Sequence, residues 1–155
     1  MCSSDLYDLT PPVWCHSNEF FNSTFIRVDE GDATSPQFWI DDDSRNLSKR
    51  TLLMVWPNNP DKIDNPHLYE GEVLPPVWDA DCLSEYMKAG GETVVFVGER
   101  EDTIHVLPGK PPDCGSSASR RFQTMLKEKF DLVESHKIPN WLLSQDDATI
   151  WVRKK

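Results

Sequence analysis

Two stretches of the chain are apolar without interruption. Thr51-Leu52-Leu53-Met54-Val55-Trp56 runs straight into Pro57-Asn58-Asn59-Pro60, and Thr93-Val94-Val95-Phe96-Val97 runs into Gly98-Glu99. Runs this short, rich in β-branched residues and stopped by Pro or Gly, predict strands, and the lack of alternation predicts burial on both faces as in a parallel sheet. Between them the period changes. Ala80, Leu83, Tyr86 and Met87 fall on one helical stripe, which predicts a helix over 79–89. Asp79 and Asp81 suit its first turn, and Gly90-Gly91 suits a left-handed stop. A second stripe, Phe122, Met125, Leu126 and Phe130, predicts a helix capped by Ser116 or Ser117 and lasting to about residue 130.

Leu132 to Ile138 and Thr149 to Arg153 then read as strands. Pro139-Asn140-Trp141 makes a corner between them, and Ser144 to Asp147 is polar. No helix fits in that gap, so the two should pair as an antiparallel hairpin. Upstream, Phe25, Ile26 and Val28 suggest a short strand stopped by Glu30-Gly31-Asp32. Residues 34–49 read as a polar loop carrying one aromatic patch, Phe38-Trp39-Ile40, and residues 1–22 as an irregular arm. The expected organisation is that arm followed by one domain over 23–155, of α/β class with a mixed sheet that closes on the hairpin.

Composition narrows the function classes. The formal charge is −10, from 26 acids against 16 bases. Such a surface repels phosphate, so neither nucleic acid nor an acidic membrane is an expected partner. No apolar run approaches the roughly 20 residues of a membrane helix. The four cysteines, Cys2, Cys15, Cys82 and Cys114, include no CxxC pair and read as free thiols, so no metal site is expected. The first residues lack the basic and apolar regions of a secretory signal, which points to a cytoplasmic protein.

Four segments carry a resemblance. Glu30-Gly31-Asp32-Ala33 follows a strand; Val55-Trp56-Pro57-Asn58 ends one; Thr93 to Glu99 reads TVVFVGE; and Leu132 to Arg153 is the terminal hairpin. Together they resemble the C-terminal half of a class I S-adenosylmethionine-dependent methyltransferase domain. The resemblance implies a partial Rossmann-like three-layer sandwich and an S-adenosylmethionine cofactor. It implies that Asp32 meets the adenine amine, that Trp56 and Pro57 line the cofactor side of a strand end, and that Asn58 and Glu99 stand where catalysis would occur. On their residues alone, Asp32 is a Gly-Asp turn, Trp56 to Asn59 a turn set by Pro and Asn, and Glu99 a loop cap or a partner of Arg100 or Arg121. His105, in the loop after Glu99, is a further candidate base.

The chain departs from the family in its first half. It has no Gly-rich loop: glycines stand at 31, 71, 90, 91, 98, 109 and 115, and only one pair is adjacent. The expected activity is therefore that of a degenerate or partial methyltransferase-like protein that is not catalytic alone. A second reading is a non-enzymatic interaction module. A truncated sheet leaves an open edge for a homodimer or another protein to cover. Six tryptophans and the repeated Pro-Pro-Val-Trp, at 11–14 and 75–78, would supply the anchors.

Overall fold

The computed structural model describes residues 6–8, 28–40, 49–57, 77–103, 117–140 and 144–155. Within them the predicted apolar runs become strands β3 (Leu52–Val55) and β4 (Thr93–Glu99), which lie side by side and parallel. Helix α2 (Asp79–Lys88) connects them. Helix α3 (Arg120–Lys129) leads without a break into β5 (Phe130–Lys137), and β6 (Asp146–Arg153) returns antiparallel to it. The sheet order is β3-β4-β6-β5, so β6 lies between β4 and β5 and is antiparallel to both. A four-stranded mixed sheet with helices is the α/β class expected, and the antiparallel hairpin supplies its last two strands.

Two short elements were not expected. Leu6–Asp8, inside the stretch read as an irregular arm, forms strand β1 and pairs in parallel with β2 (Val28–Glu30). Pro36–Ile40, read as loop, forms the single-turn helix α1. Asp32 starts that turn. Its Oδ1 accepts from the Thr34 N–H (2.9 Å) and hydroxyl (2.6 Å), and the Trp39 indole N–H reaches the Ala33 carbonyl (2.8 Å). Trp39 then packs on Tyr86 of α2.

The core lies between the helices and one face of the sheet. Met54, Val94, Phe96, Trp151 and Phe130 meet Ala80, Cys82, Leu83 and Tyr86 of α2 and Phe122 and Leu126 of α3. Thr149 is buried there with its hydroxyl satisfied, donating to the Phe96 carbonyl (2.9 Å) and accepting from the Trp151 indole (2.8 Å). Gly90 has φ 89°, and the Gly91 N–H reaches the Tyr86 carbonyl, so α2 stops where the glycine pair predicts. Tyr86 is the hub of this end. Its hydroxyl contacts the carbonyls of Arg50 (2.6 Å) and Thr93 (2.8 Å) and accepts from the Thr93 N–H (3.1 Å), tying α2 to the starts of both parallel strands.

Burial on both faces of the first apolar run is a misreading. Met54 is buried, but Leu53 and Val55 are 55% and 54% exposed. Among the described residues the helices pack on the Met54 face alone. The cap of α3 also differs. It is Ser119, whose Oγ accepts from the Phe122 N–H (3.1 Å), and not Ser116 or Ser117.

Candidate functional site

Strand register assigns the side chains at the carboxyl ends of β3 and β4 to two clusters on opposite faces of the sheet. In open α/β sheets this is the end that takes ligands. On the helix-covered face, Gly98 pairs with Asp147. A Cβ on Gly98 would stand 2.5 Å from Ser117 Oγ and 2.8 Å from the Phe96 ring, so glycine here makes room for the Ser117 hydroxyl against the strand. Ser117 Oγ in turn accepts from the Glu99 N–H (2.7 Å). Past the strand end, Arg100 turns its guanidinium into the protein. Its Nε lies 3.1 Å from each oxygen of Asp147, and its terminal nitrogens reach Asp147 Oδ2 (2.7 Å) and Asp102 (2.9 Å). Burial works against the cation, but the hydrogen bonds and charge of Asp147 and the charge of Asp102 raise its pKa further. Gln123 of α3 closes the turn by donating to the Glu99 carbonyl (3.3 Å) and accepting from the Glu101 N–H (2.9 Å).

On the other face, Glu99 pairs in register with Asp146. Both are buried, at 4% and 5% exposure. Glu99 Oε1 accepts from the Gln145 N–H (3.1 Å), while Asn140 grips the Asp146 backbone from both sides, accepting at 2.9 Å and donating at 3.2 Å. Trp56 completes this cluster. Its N–H continues the ladder to the Val97 carbonyl (3.0 Å), yet its φ is 44°, a left-handed conformation that a bulky side chain rarely takes. The kink places its indole N–H 3.2 Å from Asp146 Oδ1. Strain held at a strand end, on a ring still 49% exposed, is a mark of functional positions.

Asp146 is pushed above the usual carboxylate range, first by burial and then by the negative charge of Glu99, while Ser144 and the Trp56 indole pull it back. This carboxyl therefore holds a proton at higher pH than an exposed aspartate does. In the unfolded chain its pKa returns toward 3.8. The stabilisation it gives is full below that value and is lost as pH rises through the raised folded value. Replacing Trp56 with phenylalanine removes the indole donor. We expect the Asp146 carboxyl to titrate at still higher pH in an NMR pH titration. An unchanged or lowered midpoint would mean the indole does not reach it in solution.

The site residues expected from sequence thus divide. Trp56, Pro57 and Glu99 come to one end of the sheet, with Pro57 buried and Trp56 and Glu99 meeting at Asp146. Asp32 is taken up by its own turn with Thr34, whose hydrogen bonds lower its pKa, and its charge is felt at Cys82 on α2. Asn58 and His105 lie outside the described residues. Of the two arginines considered for Glu99, Arg100 forks onto Asp147, and Arg121 pairs with Asp81 (2.8 Å). Sequence reasoning missed Asp146, Asp147 and Asn140. Its only signals for them were a polar stretch holding the two aspartates and a Pro-Asn-Trp corner holding Asn140.

Among the described residues no three His, Cys, Asp or Glu are arranged to hold a metal ion, and no helix is long and apolar enough to cross a membrane. A crevice on the helix side, lined by Phe96, Arg100, Gln123, Leu126, Lys127 and Trp151, measures about 10 Å³, room for a single water. No protein-family model, no characterised protein and no solved structure matches the chain.

Proposed function

We propose that the protein is a partial, methyltransferase-like α/β domain that does not transfer methyl groups alone. One observation carries this reading. The parallel pair β3–β4 is followed by a helix and then by an antiparallel hairpin, which is how the resembled domain closes. Trp56, Pro57 and Glu99 stand at the strand ends where that resemblance calls for cofactor and catalytic residues. In this reading the three-layer sandwich is incomplete, its second helix layer being the half that a partner supplies.

The residues do not fit a whole S-adenosylmethionine. Asp32 keeps an ionised carboxylate for an adenine amine, but one of its oxygens is spent on the N–H and hydroxyl of Thr34 in its own turn. No Gly-rich loop exists to let backbone approach the methionine part. Weak, partial binding is the consequence. With a dissociation constant near 1 mM, saturation is only half complete at that concentration, and stabilisation is about 0.4 kcal/mol. That corresponds to a rise in Tm of about 1 °C for a domain of this size. Thermal unfolding against S-adenosylmethionine and S-adenosylhomocysteine tests it. A saturating shift of several degrees at micromolar ligand would mean a complete cofactor site, and no shift at several millimolar would remove the cofactor from the reading.

A second reading has its own support. Leu53, Val55 and Val152 are exposed on one sheet face, and among the described strands β3 pairs only with β4, leaving its other edge open. A homodimer or protein partner covering that face and edge makes the chain an interaction module. Sedimentation equilibrium reads this directly, and a strictly monomeric chain with no binding partner counts against it.

A further inference from the structure

Register shows what the face that no described helix covers is made of. Val55, Val97, Ala148 and His136 form one row across β3, β4, β6 and β5; Leu53, Val95, Ile150 and Glu134 form the next. Thr93, Val152 and Asp131 form a third. The first two rows are apolar over β3, β4 and β6 and turn charged at β5. Apart from His136, which pairs with Glu134 at 2.8 Å, the exposed charged strand residues on this face are the acids Asp131 and Glu134; Glu99 and Asp146 are on the same face but buried. The basic strand residues Lys137 and Arg153 belong to the opposite face, in register with Asp147 and Phe130. An apolar field about three strands wide, bordered by acids on one long side, matches one kind of surface: a helix with an apolar stripe and lysines or arginines beside it.

We propose that this face seats a basic amphipathic helix from a partner protein, its apolar stripe over Leu53, Val55, Val95 and Ile150 and its cations over Glu134 and Asp131. This deepens the interaction reading by naming the partner's chemistry and the face it uses, and it makes no use of the cofactor. The net charge of −10 draws such a helix in and repels both a second copy and an acidic one. A sheet packs helices this way in layered α/β domains, so the geometry on offer is an ordinary one.

The test uses a fluorescent 20-residue helical peptide with leucine at i, i+3, i+4 and i+7 and lysine elsewhere, and its glutamate counterpart. Anisotropy is followed against the full chain. Saturable binding of the lysine peptide, at least tenfold tighter than the glutamate peptide, is expected. The double variant Leu53→Ser/Val55→Ser keeps the charge and removes apolar area. Roughly tenfold weaker binding is expected there, because two buried side chains are lost from the contact. Glu134→Gln should weaken binding a few-fold at low salt and little at high salt. Both sites are exposed, so the variants should keep the parent Tm. Binding untouched by the serine pair would be attraction by net charge and would overturn the proposal. Self-association without peptide binding would overturn it while keeping the interaction reading. A monomer that binds neither would overturn the proposal and count against self-association.

Discussion

Replacing Arg100 with alanine is expected to cost about 3–5 kcal/mol of stability. Its guanidinium is the partner of Asp147, whose carboxylate is buried on the helix-covered face of β6 and also accepts from the Ser135 hydroxyl (3.0 Å). Without the arginine that charge stays in the interior and must protonate or draw water inward. A domain of ordinary stability holds only about 5–15 kcal/mol in all, so a fall in Tm on the order of 10 °C follows. Arg100→Lys should lie between, since an ammonium cannot reproduce the fork. Urea and thermal unfolding measure both. If the alanine variant stays within about 1 kcal/mol of the parent, the pair does not anchor the strand ends, and the arrangement of Glu99 beyond them needs another explanation.

The second large effect is expected at Asp79. This buried carboxylate begins α2 but serves α3. It accepts from the Ser119 N–H and hydroxyl (2.7 Å each) across 40 residues of sequence and from the Ala80 N–H (2.7 Å), and Ser119 then caps the Phe122 N–H. Asp79→Ala removes the acceptor of the Ala80 N–H in the first turn of α2 and orphans a buried N–H and hydroxyl at the start of α3, a loss of about 2–4 kcal/mol. pH gives an independent readout. Burial raises the Asp79 pKa from its ordinary 3.8, against the pull of Ser119. The folded state therefore holds this proton longer than the unfolded chain does. The contribution is full below 3.8 and is lost as pH rises through the raised value. Asp79→Asn removes the titration, so the stability difference between parent and variant should drift in the parent's disfavour across that interval and level off above it. A flat difference from acid to neutral pH would mean the carboxyl is not desolvated as the packing implies.

Most of the architecture was legible because it is written in local periodicity. Ala80, Leu83, Tyr86 and Met87 repeat as a helix does, Gly90-Gly91 ends it, and the two apolar runs are too short for anything but strands. What failed depended on distant partners. Leu53 and Val55 look buried because nothing in six apolar residues reports whether a second layer covers them. Phe130 fits a helical stripe, yet it is the first residue of β5, since its pairing with Arg153 outweighs one more turn. Ser116, Ser117 and Ser119 are alike as caps, and Asp79, 40 residues earlier at the start of α2, selects among them by accepting from Ser119. Asp146 and Asp147 are acids at the buried start of a strand, against every composition rule. Their reasons, Trp56 and Arg100, are 90 and 47 residues away. The place of Trp56, Pro57 and Glu99 at strand ends was legible because the apolar runs that lead to them stop at Pro and Gly, and the arrangement around them was illegible wherever charge pairing set the geometry.

The placement of β6 between β4 and β5 bears on synthesis. A ribosome delivers β4 and then β5 with no bond between them, and both wait for residues 146–153 to emerge. Until then two strand edges stand open at once, and the contacts that would close them are non-local, the slowest kind to form. The nascent chain is therefore most open to aggregation in that interval.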